Sequence, residues 1–396
     1  MYIDDLKVKF IKLYGASSEE LRVFSSPGRV NLIGEHTDYN GGFVFPAALS
    51  LGTTIVLRKN NENKVRMRVT DLPDFVEVDL NDLNKEEYRN LRWGNYQVGV
   101  MLALKEKGYD IVGCDMLYDD TLPHGGGLSS SAAIEVSTAL AFATLSNEKN
   151  VKTEPVDMIE MAFCGQTSER EFCGVNCGIM DQFASAMGKK EHAIYLDCKK
   201  MEYDLVPLSL KGCKIVITNT NKKHSLASSK YNERRGECEK GFEILKKEIP
   251  SATCLGDISV EEFEEHKSAI TDETVLKRVT HVIYEDDRVL KSVEALKGGD
   301  LETFGKLMNA SHDSLSKLYE VTGEELDTLA YEAQKLPGVL GSRMTGAGFG
   351  GCTVSIVKEE FVDEFIEKLD RTYTSKIGYP PSFIVDETGD GGREIK

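Results

Sequence analysis

The sequence predicts an α+β fold in two lobes, built from mixed sheets and helices. "GTTIVLRK" is rich in β-branched residues and "KVRMRV" alternates apolar with polar residues, so each is expected to form a strand. "SSAAIEVSTALAFATL" is apolar on nearly every side and contains no Gly or Pro, which is typical of a buried helix. A chain of 396 residues with 41% hydrophobic content has room for two or three domains.

The second half of the chain supplies further helices and a closing strand–helix–strand unit. Asp300 is placed to cap one helix, and Thr322 with Glu325 has the spacing of a capping box for the next. "CTVSIV" and "SFIV" then flank an acidic amphipathic segment. We place the lobe boundary after the expected strand "AIYLDC", which gives one lobe of residues 1–206 and another of residues 207–396.

The charge of the chain excludes several classes of partner. A net charge of −17 leaves no surplus of Lys and Arg to neutralise nucleic-acid phosphates, and it would repel anionic lipid headgroups. No run approaches the roughly 20 apolar residues of a membrane span, and "MYIDDLKVKF" lacks the regions of a signal peptide. We therefore expect no nucleic-acid or membrane partner and a cytoplasmic location. A monomer is expected because no exposed apolar seam is readable.

The strongest chemical signal is the glycine-rich stretch "LPHGGGLSSSAA" at residues 122–133. Consecutive glycines let backbone amides approach a ligand closely, and the serines stand where the buried helix is expected to begin. A helix N-terminus attracts phosphate through its free amides and its dipole. The stretch is therefore a candidate phosphate loop, although a serine-capped glycine turn has the same local pattern.

A second glycine cluster, "GSRMTGAGFGG" at residues 341–351, leads into the strand "CTVSIV". Its backbone is free to approach phosphates or another loop. The sequence contains no GxxxxGK[ST] and neither the HRD nor the DFG motif of protein kinases. Any phosphate chemistry must therefore use a different layout.

Acidic residues lie between the two glycine clusters, in "SEREFCGVNCGIMDQFASAMG". Asp181 follows Gly178 and two apolar residues, which is an unusual setting for an acid, and Glu169 precedes it by 12 positions. An acid beside a phosphate loop can hold magnesium or accept a proton from an attacking hydroxyl.

Four stretches together resemble a known family. "GRVNLIGEHTDYNGG" resembles the signature of galactokinases, and "LPHGGGLSSSAAIEV", "NCGIMDQFASAMG" and "GSRMTGAGFGGC" resemble the motifs of the GHMP kinases, in the family's order. "WGNYQVGV", "HSLASSKYNERRGECE" and "HVIYEDDRV" also match, so the resemblance covers nearly the whole chain. It implies the two-lobed GHMP kinase fold, with the active site in the cleft between the lobes.

The resemblance implies a sugar site built on the polar turn after "GRVNLI". Galactose would be bound by one group of residues, which are Glu35, His36, Asp38, Gly178 and Tyr231. A polyol requires such a set, because each buried hydroxyl needs a hydrogen-bonding partner.

The resemblance also assigns the nucleotide end. The ATP phosphates would lie in the loop formed by Gly125, Gly126, Gly127, Leu128, Ser129, Ser130 and Ser131. Ser131 and Glu169 match the family's magnesium ligands, with Ser130 as the alternative serine. Trp93 is expected to stack near adenine, unless it is a core residue. ATP is thus expected as co-substrate and Mg²⁺ as cofactor.

The reaction implied is phosphoryl transfer from MgATP to the anomeric hydroxyl of α-D-galactose, which begins galactose catabolism. Asp181 would accept the proton of that hydroxyl or orient it, and the residues leave both roles open. Arg29 would pair with Asp181, keep it ionised, and neutralise charge on the transferring group.

Two alternatives stay open, one a kinase for another sugar and the other a protein of a different class. A kinase for N-acetylgalactosamine or another sugar needs more room beside the ring, and such relatives depart from the "HTDYNGG" pattern that is unbroken here. A non-catalytic sensor of galactose and ATP loses residues of the "GLSSSAA" loop, which is complete here.

Overall fold

Strands from both halves of the chain form the framework of the molecule. The computed structural model describes residues 2–88, 90–123, 126–210, 212–222 and 227–396. The strands within these residues are β1 (Arg22–Asn31), β2 (Phe43–Val44), β3 (Pro46–Lys59), β4 (Lys64–Val69), β5 (Phe75–Asp79), β6 (Cys114–Asp120), β7 (His192–Asp197), β8 (Glu202–Pro207), β9 (Cys213–Asn219), β10 (Val339–Thr345), β11 (Cys352–Lys358), β12 (Ser382–Asp386) and β13 (Arg393–Ile395).

These strands form three sheets within the described part of the chain. A six-stranded sheet has the order β13-β1-β3-β6-β4-β5, a four-stranded sheet the order β10-β11-β9-β12, and a three-stranded sheet the order β2-β7-β8. The pairing is antiparallel except between β4 and β6, which run parallel. The last strand, β13, lies beside β1, so the end of the chain completes the sheet with which it begins.

Helices pack against the sheets, and several of them carry residues predicted to bind the sugar or the nucleotide. The described helices are α1 (Tyr2–Tyr14), α2 (Gly94–Glu106), α3 (Ser130–Lys149), α4 (Met158–Thr167), α5 (Met180–Met187), α6 (Ala227–Glu248), α7 (Val260–His266), α8 (Glu273–Lys297), α9 (Leu301–Ser314), α10 (Gly323–Ala333) and α11 (Val362–Ile377). Helix α3 packs against β1 on one side and against α2 and α4 on others. This is why its sequence is apolar nearly all round. Among the described helices, none combines the length and apolarity needed to cross a bilayer.

The two halves of the chain share a hydrophobic core. Val30 of the six-stranded sheet and Phe45, which lies between β2 and β3, pack in one cluster with Ile217 and Val354 of the four-stranded sheet, and Val289 of α8 joins them. The packing of this cluster therefore fixes the positions of the two halves of the chain relative to one another. The division into residues 1–206 and 207–396 stays a prediction.

Most of the predicted elements are present. The two early strands, the buried helix and the closing strand–helix–strand unit form where expected, and Asp300 accepts a hydrogen bond from the Thr303 amide as the N-cap of α9. The capping box at Thr322 was wrong, because its side chain makes no cap hydrogen bond. Glu325 instead pairs with Lys222 at 2.8 Å. The Glu325 side chain, which the capping box would have used, is thus engaged in a long-range ion pair.

Candidate active site

A cavity of about 220 Å³ lies between the two halves of the chain. It is bounded by the turn after β1, the start of α5, the start of α6 and the loop between β10 and β11. The cavity is lined by Arg29, Glu35, His36, Asp38, Glu169, Val175, Cys177, Gly178, Met180, Asp181, Tyr231, Gly346 and Ala347. All five residues predicted to bind the sugar, and both predicted catalytic residues, are among them.

Arg29 reaches the cavity because β1 is irregular at this point. The register between β1 and β3 shifts between Pro27 and Arg29, and a bulge of this kind re-aims the side chain that follows it. A Cβ at Gly28 would lie 2.5 Å from the Leu128 carbonyl oxygen, so only glycine fits there. Arg29 Nε and Nη2 each donate to an Asp181 carboxylate oxygen at 2.8 Å.

The Arg29–Asp181 pair is also tied to the phosphate loop. Arg29 Nη1 donates to the Gly127 carbonyl at 2.9 Å, and the Ser129 hydroxyl donates to Asp181 at 2.7 Å. Arg29 is 3% exposed, whereas Asp181 keeps 32% of its side chain exposed toward the cavity. Although burial opposes the charge on Arg29, Asp181 raises the pKa of the guanidinium. Asp181 is therefore oriented on one side and accessible on the other.

The second glycine cluster packs directly on the phosphate loop. A Cβ at Gly346 would lie 2.9 Å from the Gly127 carbonyl oxygen, and one at Gly351 would lie 3.3 Å from that of Gly126. Gly346 also has a φ of +85°, which favours glycine. The backbone of the second cluster thus approaches another loop, which is one of the two alternatives that its sequence left open. Gly125, which was predicted to contact ATP, lies outside the described residues.

Glu35 is buried at the floor of the cavity. Its Oε1 accepts from the Gly346 amide at 2.7 Å and from Arg343 Nη1 at 3.3 Å. Glu35 is 1% exposed and Arg343 is 0% exposed. Burial raises the pKa of Glu35, while Arg343 and Arg29 oppose that shift. The carboxyl is held in one orientation by donors from the β10–β11 side of the cleft.

His36 lies among aromatic rings. Its Nδ1 is 2.8 Å from the Tyr39 hydroxyl, and its ring packs on Tyr319 and Tyr231 with centroid separations of 4.7 and 5.6 Å. Burial lowers the pKa of His36 to about 3, so the imidazole is neutral. Its Nε2 has no partner of hydrogen-bond geometry among the described residues.

Asp38 is half-buried and faces Asp181 across the cavity wall. Its carboxylate accepts from the amides of Tyr39 at 2.9 Å and Met180 at 3.3 Å. Burial, followed by repulsion from Asp181, raises the pKa of Asp38 to about 6. Gly178 packs so closely on Asp38 that a Cβ would overlap the carboxylate. The half-buried Tyr231 ring forms part of the wall.

Two acids lie close together beside the phosphate loop, the half-buried Glu169 and the buried Glu135. The Glu169 carboxylate accepts from Gln182 Nε2 at 2.8 Å and bonds the Ser131 hydroxyl. Gln182 Nε2 also donates to Glu135 at 2.9 Å. Burial and Asp181 raise the pKa of Glu169 to about 7, and burial raises that of Glu135 well above its usual range.

This group of side chains has the donor chemistry that a hard divalent cation requires. Glu135 Oε1 and Gln182 Oε1 are buried oxygens without a hydrogen-bond partner among the described residues. In the same part of the chain, no cluster of three or more His, Cys, Asp or Glu side chains could enclose a metal ion by itself. Mg²⁺ usually takes one or two protein carboxylates and fills its other positions with water and substrate phosphate, and the Glu169 carboxylate with the Ser131 hydroxyl beside it offers oxygens of this kind.

Some predicted residues lie away from the cavity lining. Trp93 is half-buried against the core of the first half, with its ring centroid 6.4 Å from that of Tyr118. Ser130 and Ser131 form the first turn of α3, behind the loop. The adenine-stacking role of Trp93 and the choice between the two serines stay predictions.

Several buried polar residues of the site were not predicted. Arg343 lies within the second glycine motif, yet no role followed from its position. Gln182 directly follows Asp181 in the sequence and lies with it on α5, and this position was the available signal. Glu135 sits in the apolar helix α3, where a lone acid among small apolar residues was an unused clue.

Comparisons with known proteins agree with this geometry. The galactose-binding signature of galactokinases matches residues 8–59, and the N- and C-terminal domains of GHMP kinases match residues 95–189 and 292–375. Galactokinases from Clostridium acetobutylicum and Clostridium tetani are 49% and 47% identical, covering 99% and 100% of this chain and 99% and 98% of their own lengths.

Solved structures give the same result. The crystal structure of Lactococcus lactis galactokinase complexed with galactose is 41% identical, with a TM-score of 0.95 and 100% of each chain covered. The mevalonate kinase of Methanococcus jannaschii, at 21% identity, shares the fold with a TM-score of 0.66 over 94% of this chain and 99% of its own.

The fold and its glycine-loop cleft are those of a GHMP kinase, as predicted. Identity across the full length with the bacterial proteins then narrows the class. The chain belongs to the galactokinase family and is an ATP-dependent sugar kinase. The predicted fold class and enzyme class are therefore confirmed.

Proposed function

We propose that the protein transfers the γ-phosphoryl group of MgATP to the anomeric hydroxyl of α-D-galactose, giving α-D-galactose 1-phosphate and ADP. The observation that carries the proposal is the Asp181 carboxylate, fixed by Arg29 through two bonds of 2.8 Å and open to the cavity. The related Lactococcus lactis enzyme was crystallised with galactose, which supports the same sugar here.

The sugar would be held by the predicted set from the turn after β1 and the walls around it. Asp38 and Glu35 offer carboxylate acceptors, and His36 offers a neutral imidazole whose Nε2 is without a partner among the described residues. Gly178 would contribute through its backbone and Tyr231 through its ring and hydroxyl. A hexose presents several hydroxyls, and each one that is buried needs such a partner.

Phosphoryl transfer would use groups already held in place. The anomeric oxygen attacks the γ-phosphorus, its proton passes to Asp181, and the bond from phosphorus to the bridging oxygen of ADP breaks. Arg29 orients Asp181 and places positive charge beside the phosphate loop, where charge is redistributed during transfer. Orientation by Asp181 without full proton transfer gives the same products, and both roles remain within the proposal.

The nucleotide and its metal would occupy the side of the cleft formed by the start of α3. Residues Gly125–Ser131 would hold the ATP phosphates, and Ser131 with Glu169 would hold Mg²⁺. When bound, the metal supplies charge neutralisation for the phosphate oxygens. The buried oxygens of Glu135 and Gln182 are available to waters around such an ion.

One assay separates this proposal from its alternatives. ADP release is measured for the purified protein with galactose, N-acetylgalactosamine, glucose or no sugar, at saturating MgATP. Galactose should give the highest kcat/KM by at least ~100-fold over glucose. Preference for N-acetylgalactosamine would identify another sugar kinase, and binding of galactose and ATP without ADP release would identify a sensor. We further propose a cytoplasmic monomer without nucleic-acid or membrane partners.

A further inference from the structure

Helix α8 carries buried polar groups that sequence comparison left without a role. They lie in "HVIYEDDRV", where His281 and Glu285 are 0% exposed and Asp286 is nearly buried. A spacing of four residues places His281 and Glu285 on one face of the helix. Buried charges and imidazoles are costly to bury unless they are hydrogen-bonded, so their partners indicate what the helix face does.

Glu285 bonds the backbone of the turn that leads into the sugar site. Its Oε1 accepts from the Gly34 amide at 3.0 Å, the Glu35 amide at 3.3 Å and the Ser311 hydroxyl at 2.5 Å. Arg288 Nε donates to Oε2 at 2.7 Å. Although burial opposes ionisation, Arg288 brings the pKa of Glu285 down to about 2, so the acceptor is charged at neutral pH.

His281 and Asp286 hold two further points of the same turn. His281 Nε2 donates to the Glu35 carbonyl at 3.1 Å, while its Nδ1 accepts from the Ser314 hydroxyl at 2.8 Å. Burial lowers the pKa of His281 to about 4, which keeps it neutral and compatible with this tautomer. Asp286 accepts from the Phe43 amide at 2.7 Å. The turn is thus bound on both sides of Glu35 and again at its end.

The conformation of the turn explains why it needs external acceptors. Gly34 has a φ of +97°, and a Cβ there would meet the Phe43 carbonyl and Val289. His36 has a φ of +64°, which is uncommon for a residue with a side chain. Without Glu285, the amides of Gly34 and Glu35 would be buried donors lacking the one acceptor they have among the described residues.

We propose that Glu285, supported by His281 and Asp286, is a positioning residue that sets the orientation of Glu35 and His36 for sugar binding. The inference rests on the proposed function, because it assumes that the turn binds galactose. Loss of the Glu285 carboxylate should weaken galactose binding and leave MgATP binding intact. The reason is that Glu285 contacts this turn, α8 and α9.

The test compares Glu285→Gln with a matched control, Asp115→Asn. Asp115 is also a buried carboxylate, paired with Arg58 at 3.1 Å, but it lies on the six-stranded sheet away from the cavity. KM for galactose, KM for ATP, kcat and Tm are measured for each. We expect Glu285→Gln to raise KM for galactose ~10-fold with KM for ATP unchanged, and Asp115→Asn to lower Tm without changing either KM.

Two results would overturn the proposal. One is a lower Tm for Glu285→Gln with an unchanged KM for galactose, and the other is an equal rise in both KM values. If Glu285→Gln does not fold, His281→Phe decides, because it keeps a ring against Tyr319 but removes the bond to the Glu35 carbonyl. It should raise KM for galactose several-fold, and no change would reject the proposal. A wild-type protein without galactose-dependent ADP release would instead refute the proposed function.

Discussion

The Tyr39 hydroxyl lies 2.8 Å from His36 Nδ1 and, within one buried network, 2.8 Å from the Tyr319 hydroxyl. The Cys238 thiol is 3.1 Å from the Tyr319 hydroxyl and belongs to the same network. If each group donates toward His36, Nδ1 is an acceptor and Nε2 carries the proton of the neutral ring. His36 would then present an N–H donor to a sugar oxygen.

Removing the Tyr39 hydroxyl should therefore weaken galactose binding. Tyr39→Phe leaves Nδ1 of His36 buried without its partner, which costs about 1 kcal/mol or more and corresponds to a rise of ~5- to 10-fold in KM for galactose. Nitrogen NMR of the imidazole should show a loss of the single tautomer. Tyr14→Phe is the control, because the Tyr14 hydroxyl bonds the Met116 carbonyl far from the cavity. Equal effects of both variants would contradict the prediction.

The acid proposed to accept the proton of the anomeric hydroxyl should be essential for turnover. Asp181→Asn preserves shape but removes the charge, so we expect kcat to fall ~100-fold or more while galactose still binds. Arg29→Ala should also lower kcat, because Asp181 loses the two bonds from this guanidinium and keeps the one from Ser129. The double variant should lose less than the product of the two effects, since the residues act as a unit.

Calorimetry with galactose and stopped-flow measurement of ADP release would check both parts of this prediction. A kcat for Asp181→Asn within a few-fold of wild type would remove Asp181 from the mechanism. Fully multiplicative losses in the double variant would mean that Arg29 acts on the phosphate independently of Asp181.

The carboxylate assigned to magnesium should control the metal requirement. Glu169→Ala should raise the Mg²⁺ concentration for half-maximal rate by ~10-fold, because a hard ion loses one of its few protein oxygens. KM for galactose should change little. Glu171→Ala is the matched control, since Glu171 is an exposed acid two positions away. An unchanged Mg²⁺ dependence with a raised KM for galactose would assign Glu169 to the sugar instead.

The sequence predicted the parts of the site that lie within single short segments. Arg29, Glu35 and Asp38 stand within ten positions of each other, inside the stretch that carries the resemblance to galactokinases, and their roles were predicted from that resemblance. The bond from Gly34 to Glu285 joins positions 251 apart, and that from Glu35 to Arg343 spans 308. No local pattern contains such a pair, because only the packing of the two halves brings its members together.

The same reasoning explains the one element feature that was wrong. Thr322 has the local spacing of a capping box, but Glu325 is reached by Lys222 from a distant part of the chain. Local hydrogen bonds compete with tertiary ion pairs at helix ends, and the outcome depends on which groups the fold places nearby. Sequence spacing thus fixed where α10 begins but not how it is capped.

The raised pKa of Asp38 predicts an acid limb in the pH profile. The pKa of Asp38 is about 6 in the folded protein, whereas its ordinary value is 3.8. Asp38 therefore takes up a proton at a higher pH in the folded protein than in the unfolded chain. Below pH 6 the charged acceptor is lost, so kcat/KM for galactose should fall up to tenfold per pH unit. This limb should be missing from Asp38→Asn, whose activity should be low throughout.

The raised pKa of Asp38 also affects the stability of the fold. The effect on stability has the opposite sign from that of an ion-paired acid, whose pKa is lowered. Between pH 3.8 and about 6 the folded state binds more protons than the unfolded state, so stability falls as pH rises through this window. At pH 7 the half-buried carboxylate is therefore destabilising. Asp38→Asn should raise Tm at pH 7 and show little difference from wild type near pH 4. A lower Tm at pH 7 would show that the carboxylate stabilises the turn.

Asp38 should also determine the preference for galactose over glucose, which differ in the orientation of one ring hydroxyl. We expect the carboxylate, with Tyr231 beside it in the cavity, to accept a bond from the axial hydroxyl of galactose. A charge-assisted bond is worth about 1.5–3 kcal/mol, or roughly 10- to 150-fold in affinity, and glucose would leave the acceptor unpaired. Asp38→Ala should lower kcat/KM much more for galactose than for glucose, measured by ADP release at saturating MgATP. Tyr231→Phe, which keeps the ring, should reduce the ratio of kcat/KM for galactose to that for glucose less than Asp38→Ala does. Equal losses on both sugars in Asp38→Ala would mean that Asp38 only shapes the turn.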